Sequence, residues 1–361
     1  MTNKNKGLIG LLVALLMVLS ACTPSSPDPY AGYERHTDSF FDTFDTMIQI
    51  VAYTESEEAF REYFRMIHER YQDLHRLYDI YTNYPGVNNI KTVNDQAGIA
   101  PVEVDEDLMN LIRFSIEWHD RTEGLTNIAL GPVLRIWHEY RAEALFDPTQ
   151  AEIPSMDDLE RAEAFTDIHE IEVDEEAMTI YLPDPRMRLD IGAVAKGYAT
   201  ELIVGEVTEA GLESAIISAG GNVRAIGRPY ETGRETWTVG LHNPDALMFS
   251  EGNTLLGTVA IVDASVVSSG DYQRFYTVGD QRLHHIIDPT TLMPANHYRA
   301  VTAVIQDSGL ADFFSTELFI LPYEESRALA DSIDGLEALW VMPDGEVEMT
   351  EGLAEIINLQ P

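Results

Sequence analysis

The chain has 361 residues, 45% of them hydrophobic, with 24 glycines and a single cysteine. That length and apolar content suit one large domain or two closely packed ones, and exclude a disordered or fibrous chain. A count of 61 acidic against 23 basic residues sets the formal charge at −38, so nucleic-acid phosphate and anionic lipid are repelled over most of the exterior. One cysteine excludes a disulfide framework and a thiolate metal cluster. The acid excess reads as a solvated surface suited to a salty or alkaline exterior. Lysine occurs only at positions 4, 6, 91 and 196.

The chain opens on an address signal. Lys4 and Lys6 make a positive start, and Leu8 to Leu19 is an apolar run too short for a comfortable membrane span. It ends in Leu19-Ser20-Ala21-Cys22, which resembles the bacterial lipobox. Residues 1–21 are therefore expected to be a signal peptide and Cys22 the lipidated mature N-terminus. Residues 22–39 are expected to be a tether, rich in Pro and Ser over Thr23–Tyr33. An uncleaved anchor with an incidental cysteine is the ordinary alternative. The expected location is outside the cytoplasmic membrane, held by the lipid anchor alone.

Phe40 to Tyr53 alternates as a strand does. Thr54-Glu55-Ser56-Glu57 reads as a capping box opening a helix with Phe60, Tyr63, Phe64, Ile67, Tyr71 and Leu74 along one stripe. A second helix is expected over Glu106 to about Arg121, and a hairpin over Ile171–Pro183 turning near Asp174 and Glu175. Short strands follow at Arg188–Ile191, Ala215–Ile217, Val223–Ile226, Trp237–Leu241, Leu256–Val262, Val301–Ile305 and Leu339–Met342. Helices interrupt them at about Ala195–Ala210 and Ala311–Leu321. Strands and helices mix without regular βαβ alternation, so the expected class is α+β.

Five segments stand out for chemistry. Asp190-Ile191-Gly192-Ala193-Val194-Ala195-Lys196-Gly197-Tyr198 breaks from strand to helix through small residues that let backbone approach a ligand. A plain strand–helix turn explains it equally well, and its spacing is neither a Walker loop nor G-x-G-x-x-G. Gly220-Gly221-Asn222 lies between two apolar strands and is either a ligand-facing backbone or a tight turn. Val267 to Tyr272 reads as a polar loop after an apolar strand. In His284-His285-Ile286-Ile287-Asp288-Pro289, a histidine and an aspartate three residues apart suit a base and its orienter, or simply an Asp-Pro turn. Asp312 and Thr316 share a helix face and offer hard oxygens suited to Mg²⁺; a helix cap at Asp312 is the alternative.

Together and in this order the five segments resemble the ApbE family, the FAD:protein FMN transferases. The family patterns D-x-x-x-x-x-K-G-Y, G-G-N-x-R-A-x-G, S-G-D-Y-x-R, H-x-I-D-P and A-D-x-x-S-T match Asp190–Tyr198, Gly220–Gly227, Ser269–Arg274, His285–Pro289 and Ala311–Thr316. Weaker matches lie upstream at Phe44-Asp45-Thr46, Tyr81 and Asn127–Pro132. The resemblance spans roughly Phe40 to the C-terminus, so residues 40–361 form one expected flavin transferase domain. It implies mixed and antiparallel sheets with packed helices, related to the T-fold, and an FAD site in a central cleft.

Residue by residue, the resemblance implies a Mg²⁺ site of Asp312, Thr316 and the Ala193 carbonyl, with Ser315 where some members place a further aspartate ligand. It implies flavin contacts at Phe44, Tyr81, Leu125, Thr126, Asn127, Asp190, Lys196, Gly220, Gly221, Ser269 and Ile287. His285 matches the general base, and Asp288 stands as its orienter. Phe44 replaces a methionine, Asn127 an acid and Ala129 a threonine. The implied reaction is Mg²⁺-dependent transfer of FMN from FAD to a threonine or serine hydroxyl of an acceptor flavoprotein of respiratory or extracellular electron transfer, releasing AMP. A rival is an FAD pyrophosphatase or flavin reservoir using the same site with water. A remoter one is a solute-binding lipoprotein with two βαβ lobes.

Overall fold

The computed structural model describes residues 30–122, 124–246 and 254–360. The leader, Cys22 and the first part of the tether lie outside the described residues. In chain order the elements begin with β1 (Glu34–Thr43), β2 (Thr46–Thr54), α1 (Glu57–Tyr78), α2 (Ile90–Asp95), β3 (Val102–Glu103), α3 (Glu106–Arg121), α4 (Gly131–Phe146) and α5 (Met156–Glu163). Next come β4 (Glu172–Asp174), β5 (Thr179–Tyr181), α6 (Ala195–Glu209), β6 (Ala215–Ala219), β7 (Asn222–Ile226), β8 (Trp237–His242), β9 (Leu255–Ile261) and β10 (Ser265–Gly270). The chain continues through β11 (Tyr276–Val278), β12 (Gln281–Leu283), β13 (Ala300–Ile305), α7 (Ser308–Ile320) and α8 (Tyr323–Ser332). It closes with β14 (Glu337–Val341), β15 (Val347–Met349), α9 (Glu351–Ile356) and β16 (Ile357–Leu359).

The frame is an eight-stranded sheet in the order β1-β2-β6-β7-β10-β13-β14-β15. Every neighbouring pair in it is antiparallel. The α+β class with antiparallel sheets holds, and no pair of βαβ lobes is built by the described residues. Side chains alternate between two cores, as the period-two geometry of strands requires. Ile48, Ile50 and Ala52 of β2, with Val301, Ala303 and Ile305 of β13, pack toward α1, α6 and α7. Tyr53, Ala300 and Val304 pack the other way, against Trp237, Val239, Val259 and Ile261 of β8 and β9. Strand β13 is buried along its whole length, because both faces of the sheet are covered.

Helix α1 forms where the apolar stripe predicts it, burying Phe60, Ile67, Tyr71, Leu74 and Tyr78. Complete burial of a side chain such as Ile67 or Leu74 contributes about 1.5–3 kcal/mol. Its cap is Ser56, whose hydroxyl accepts from the Ala59 amide at 3.2 Å. Thr54 instead donates its hydroxyl to the Ser56 carbonyl, so the capping box expected at Thr54 is not the one used. Helix α7 has eleven of its thirteen residues buried, which makes it the central helix of the fold rather than an amphipathic surface one.

Three other expectations change. Phe40–Tyr53 is not one strand: β1 ends, the chain turns at Phe44-Asp45, and β2 returns. Strand β1 also takes in Glu34–Ser39, which the tether boundary had included. Arg188–Ile191 joins no sheet, because the Asn94 side chain accepts from the Leu189 amide at 2.7 Å and donates to the Leu189 carbonyl at 3.0 Å. Residues 267–270, the first part of the expected Val267–Tyr272 loop, belong instead to the interior strand β10, whose serines bond across to other elements.

Candidate active site

The site grows from the chain's passage into α6. Asp190 folds back on itself, its Oδ1 accepting from the Gly192 amide at 3.0 Å, and the chain then enters the helix. At Gly197 a Cβ atom would fall 2.2 Å from the Ser308 carbonyl oxygen and 2.5 Å from Asp312 Cβ. Only glycine lets α6 and α7 approach this closely. The Gly197 N–H donates to Asp312 Oδ2 at 2.8 Å. That amide is the one that would close the next helical turn, so the Ala193 carbonyl is left out of the helix ladder.

Asp312 is buried, with Lys196 Nζ 3.6 Å from its Oδ1. Burial pushes the carboxyl above its ordinary value, opposed chiefly by Lys196 and the Gly197 amide. A buried carboxylate not fully balanced by its lysine suits one more cation. Thr316, half-buried one turn later, and the Ala193 carbonyl add oxygen donors of the kind that hard divalent ions take. Ser315 is different. Its hydroxyl donates to the Asp312 carbonyl at 3.0 Å and meets Ser269 Oγ at 2.9 Å. As a buried strand-to-helix link it is committed to the fold, so the expected metal role of Ser315 is not supported. Ser269 supports the same link from β10.

Two tight turns border this end of the sheet. Phe44 and Asp45 have φ of 52° and 51°, and Gly220 and Gly221 have φ of 59° and 95°. Both are two-residue hairpin turns in which left-handed backbone is required. For Phe44 that conformation costs about 1–2 kcal/mol. Its amide donates to His75 Nδ1 and its ring packs near Tyr71, His75 and Tyr78. The turns touch: the Gly220 amide donates to the Met47 carbonyl, and a Cβ at Gly220 would lie 2.1 Å from Thr46 Oγ1.

His285 lies within electrostatic reach of Lys196, the partner of Asp312. Burial drives its imidazole well below the ordinary histidine value, and Arg274, His284, Arg141 and Lys196 push the same way. It is therefore neutral at neutral pH. Its Nδ1 is enclosed with no hydrogen-bond partner among the described residues. Asp288 does not orient it. Asp288 Oδ1 accepts from both the amide and the hydroxyl of Thr290 at 2.7 Å, and Oδ2 from the Thr291 hydroxyl at 3.0 Å. The carboxylate holds the turn that follows, a structural duty that replaces the expected catalytic one. Ile287 is buried against Leu130, Val133 and Trp137.

Around the mouth, Tyr81 is 66% exposed, and Asp190, Arg141, Arg274 and Asp45 lie within electrostatic reach of it. His138 Nδ1 is 4.0 Å from Asp190 Oδ2. The segment carrying Leu125 and Thr126 is fixed by Glu317, whose carboxylate oxygens accept from the Leu125 amide at 3.1 Å and the Thr126 amide at 2.6 Å. Asn127 is spent on structure: Oδ1 accepts from the Ala129 amide at 2.7 Å and Nδ2 donates to the Thr166 carbonyl at 2.8 Å. Its side chain caps a turn, so a flavin contact through that amide is not supported.

The sequence reading missed Arg141, His138 and Glu317. Glu317 directly follows the Asp312–Thr316 pair on a helix otherwise apolar, and a lone carboxylate there was the available signal. Arg141 and His138 sit on α4 with no local motif to mark them. Of the predicted positions, Lys196 pairs with Asp312, Ser269 reaches the Asp312 turn through Ser315, His285 lies in the field of Lys196, and Asp190 lies near His138 and Tyr81.

Fold and site together define an α+β protein with one centre where a buried carboxylate, a neutral imidazole and several cations meet. The ApbE family matches residues 44–340. An FAD:protein FMN transferase of Treponema pallidum (strain Nichols) is 33% identical over 282 residues, covering 75% of this chain and 75% of that protein. One of Klebsiella pneumoniae (strain 342) is 28% identical, covering 83% and 87%. The crystal structure of the ApbE protein from Thermotoga maritima superposes with a TM-score of 0.75 at 26% identity, over 90% of this chain and 99% of that one. The chain belongs to the ApbE family.

Proposed function

We propose that this ApbE-family enzyme transfers FMN from FAD to a threonine or serine hydroxyl of an acceptor flavoprotein and releases AMP. The observation that carries the reading is the meeting of Asp312, Lys196 and His285, a buried carboxylate with a cation at 3.6 Å and a neutral imidazole within that cation's field. Mg²⁺ would be held by Asp312, Thr316 and the Ala193 carbonyl, and when bound it supplies charge neutralisation for pyrophosphate oxygens. Lys196, Arg141 and Arg274 add positive charge where an otherwise acidic chain would repel the dinucleotide. His285 takes the proton of the acceptor hydroxyl. The hydroxyl oxygen bonds to the FMN phosphorus, the pyrophosphate P–O bond breaks, and AMP departs with the bonding pair. In this reading Phe44, Tyr81 and the Leu125–Thr126 segment border the flavin and adenine moieties.

The leader pattern supports a mature chain anchored through Cys22 outside the cytoplasmic membrane, where respiratory or extracellular electron-transfer flavoproteins are the matching acceptor class. Among the described residues no helix is long and apolar enough to cross a membrane. The test is metal-stripped enzyme incubated with FAD and a candidate acceptor, followed by a denaturing gel. Flavin fluorescence should stay with the acceptor only when Mg²⁺ is restored. Equal labelling in the presence of a chelator would rule out the metal assignment.

A further inference from the structure

His119, Asp120 and His169 bring one ligand atom each within 4.8 Å of one another, and we propose that they bind a late first-row divalent transition metal, with Zn²⁺ as the reference ion. The residues come from two elements. His119 and Asp120 stand in the last turn of α3, and His169 in the short turn Ile168–Glu170, where its amide donates to Asp167 Oδ1 at 2.9 Å. Asp120 Oδ1 is already 3.6 Å from His169 Nε2.

The ring of His119 is set for ligation. Its Nδ1 lies 3.2 Å from the Thr126 carbonyl oxygen, a contact an imidazole makes only by donating, so Nε2 carries the lone pair. Ligating histidines habitually spend their second N–H on such a carbonyl. Gly124 leaves the room: a Cβ there would fall 2.5 Å from His119 Nδ1.

Two imidazoles and one carboxylate make a mixed nitrogen–oxygen set, the kind that holds Zn²⁺ or its late first-row neighbours in preference to Mg²⁺. It differs in kind from the oxygen donors around Asp312. Three protein ligands leave a position for water or an incoming donor. An occupied site also adds positive charge near Glu317, within whose field His119 lies and whose oxygens hold the Leu125 and Thr126 amides.

The test is calorimetric titration of the untagged full chain with Zn²⁺ in saturating Mg²⁺. One Zn²⁺ per chain should bind, and the same site should persist in Asp312→Asn. His169→Asn and Asp120→Asn should each weaken it by at least about tenfold. Both side chains are exposed, so metal-free melting curves should match the unaltered chain. Absence of Zn²⁺ binding, or affinity unchanged in both variants, would overturn the proposal.

Discussion

The backbone amide of Gly197 donates to Asp312 Oδ2 at 2.8 Å, so the carboxylate proposed to hold the metal is also the joint between α6 and α7. Its two duties separate on substitution. Asp312→Asn keeps an acceptor for the amide and should melt near the unaltered chain. Asp312→Ala leaves a buried N–H unpaired and should lose about 1–3 kcal/mol. Both should slow FMN transfer by about a hundredfold or more. Transfer at the unaltered rate by folded Asp312→Asn would remove Asp312 from the chemistry.

Two glycines of α6 make opposite predictions. Gly205 has open space where a Cβ would go, whereas at Gly197 that atom would meet the Ser308 carbonyl at 2.2 Å. Gly205→Ala should therefore stabilise by about 0.5–1 kcal/mol. Gly197→Ala should destabilise by about 1–3 kcal/mol through overpacking. Denaturant midpoints at equal m-values read both.

The pH dependence follows from His285. Its folded-state value lies well below the ordinary 6.5, so the imidazole stays neutral through the neutral range and the acid limb of kcat/KM should fall below pH 6.5. Arg274 opposes the imidazolium, and Arg274→Gln should move that limb upward. Stability carries the same sign. Below the unfolded value the unfolded chain binds the proton more readily, so this contribution is lost as pH falls from about 6.5 toward the folded value. An unshifted limb in Arg274→Gln would disconnect His285 from the profile.

Asp288 and His285 should behave differently when removed. Asp288→Ala abolishes three hydrogen bonds to Thr290 and Thr291 and should lower stability, with kcat largely preserved where the protein remains folded. His285→Gln should lower kcat by about 10²–10⁴-fold with the fold intact. A matched loss of kcat in both variants would return Asp288 to the catalytic group.

Glu317 acts through the segment it holds. In Glu317→Gln an amide NH₂ would face one of the two backbone N–H groups of Leu125 and Thr126, loosening both. FAD KM should rise about tenfold while kcat changes less, as for a positioning residue. Steady-state kinetics over a range of FAD concentrations distinguishes this from a general loss of folded protein.

Much of the fold was legible because its signals are local. The stripe from Phe60 to Leu74 and the run Glu106–Arg121 became helices where periodicity placed them, and the later apolar strands fell within a residue or two. What escaped depends on distant partners. Arg188–Ile191 has a strand's composition, yet the side chain of Asn94 occupies Leu189's backbone groups. Ser268 and Ser269 read as loop residues, yet Ser268 meets Thr302 and Ser269 meets Ser315 across the core. Within the site, Asp312, Lys196 and His285 were marked by motif. The hydrogen bonds that engage Asp288 with Thr290 and Thr291, Asn127 with Ala129 and Thr166, and Ser315 with Asp312 and Ser269 carry no motif that the sequence displays.

The central claim is that the chain moves FMN onto a protein hydroxyl. The most direct measurement is the intact mass of a candidate extracellular flavoprotein after incubation with FAD, Mg²⁺ and the enzyme, with Asp312→Asn as the control. The account predicts a gain of one FMN on the acceptor, AMP in solution, and neither with the control. FMN and AMP both free in solution, with the acceptor mass unchanged, would contradict transfer and establish hydrolysis.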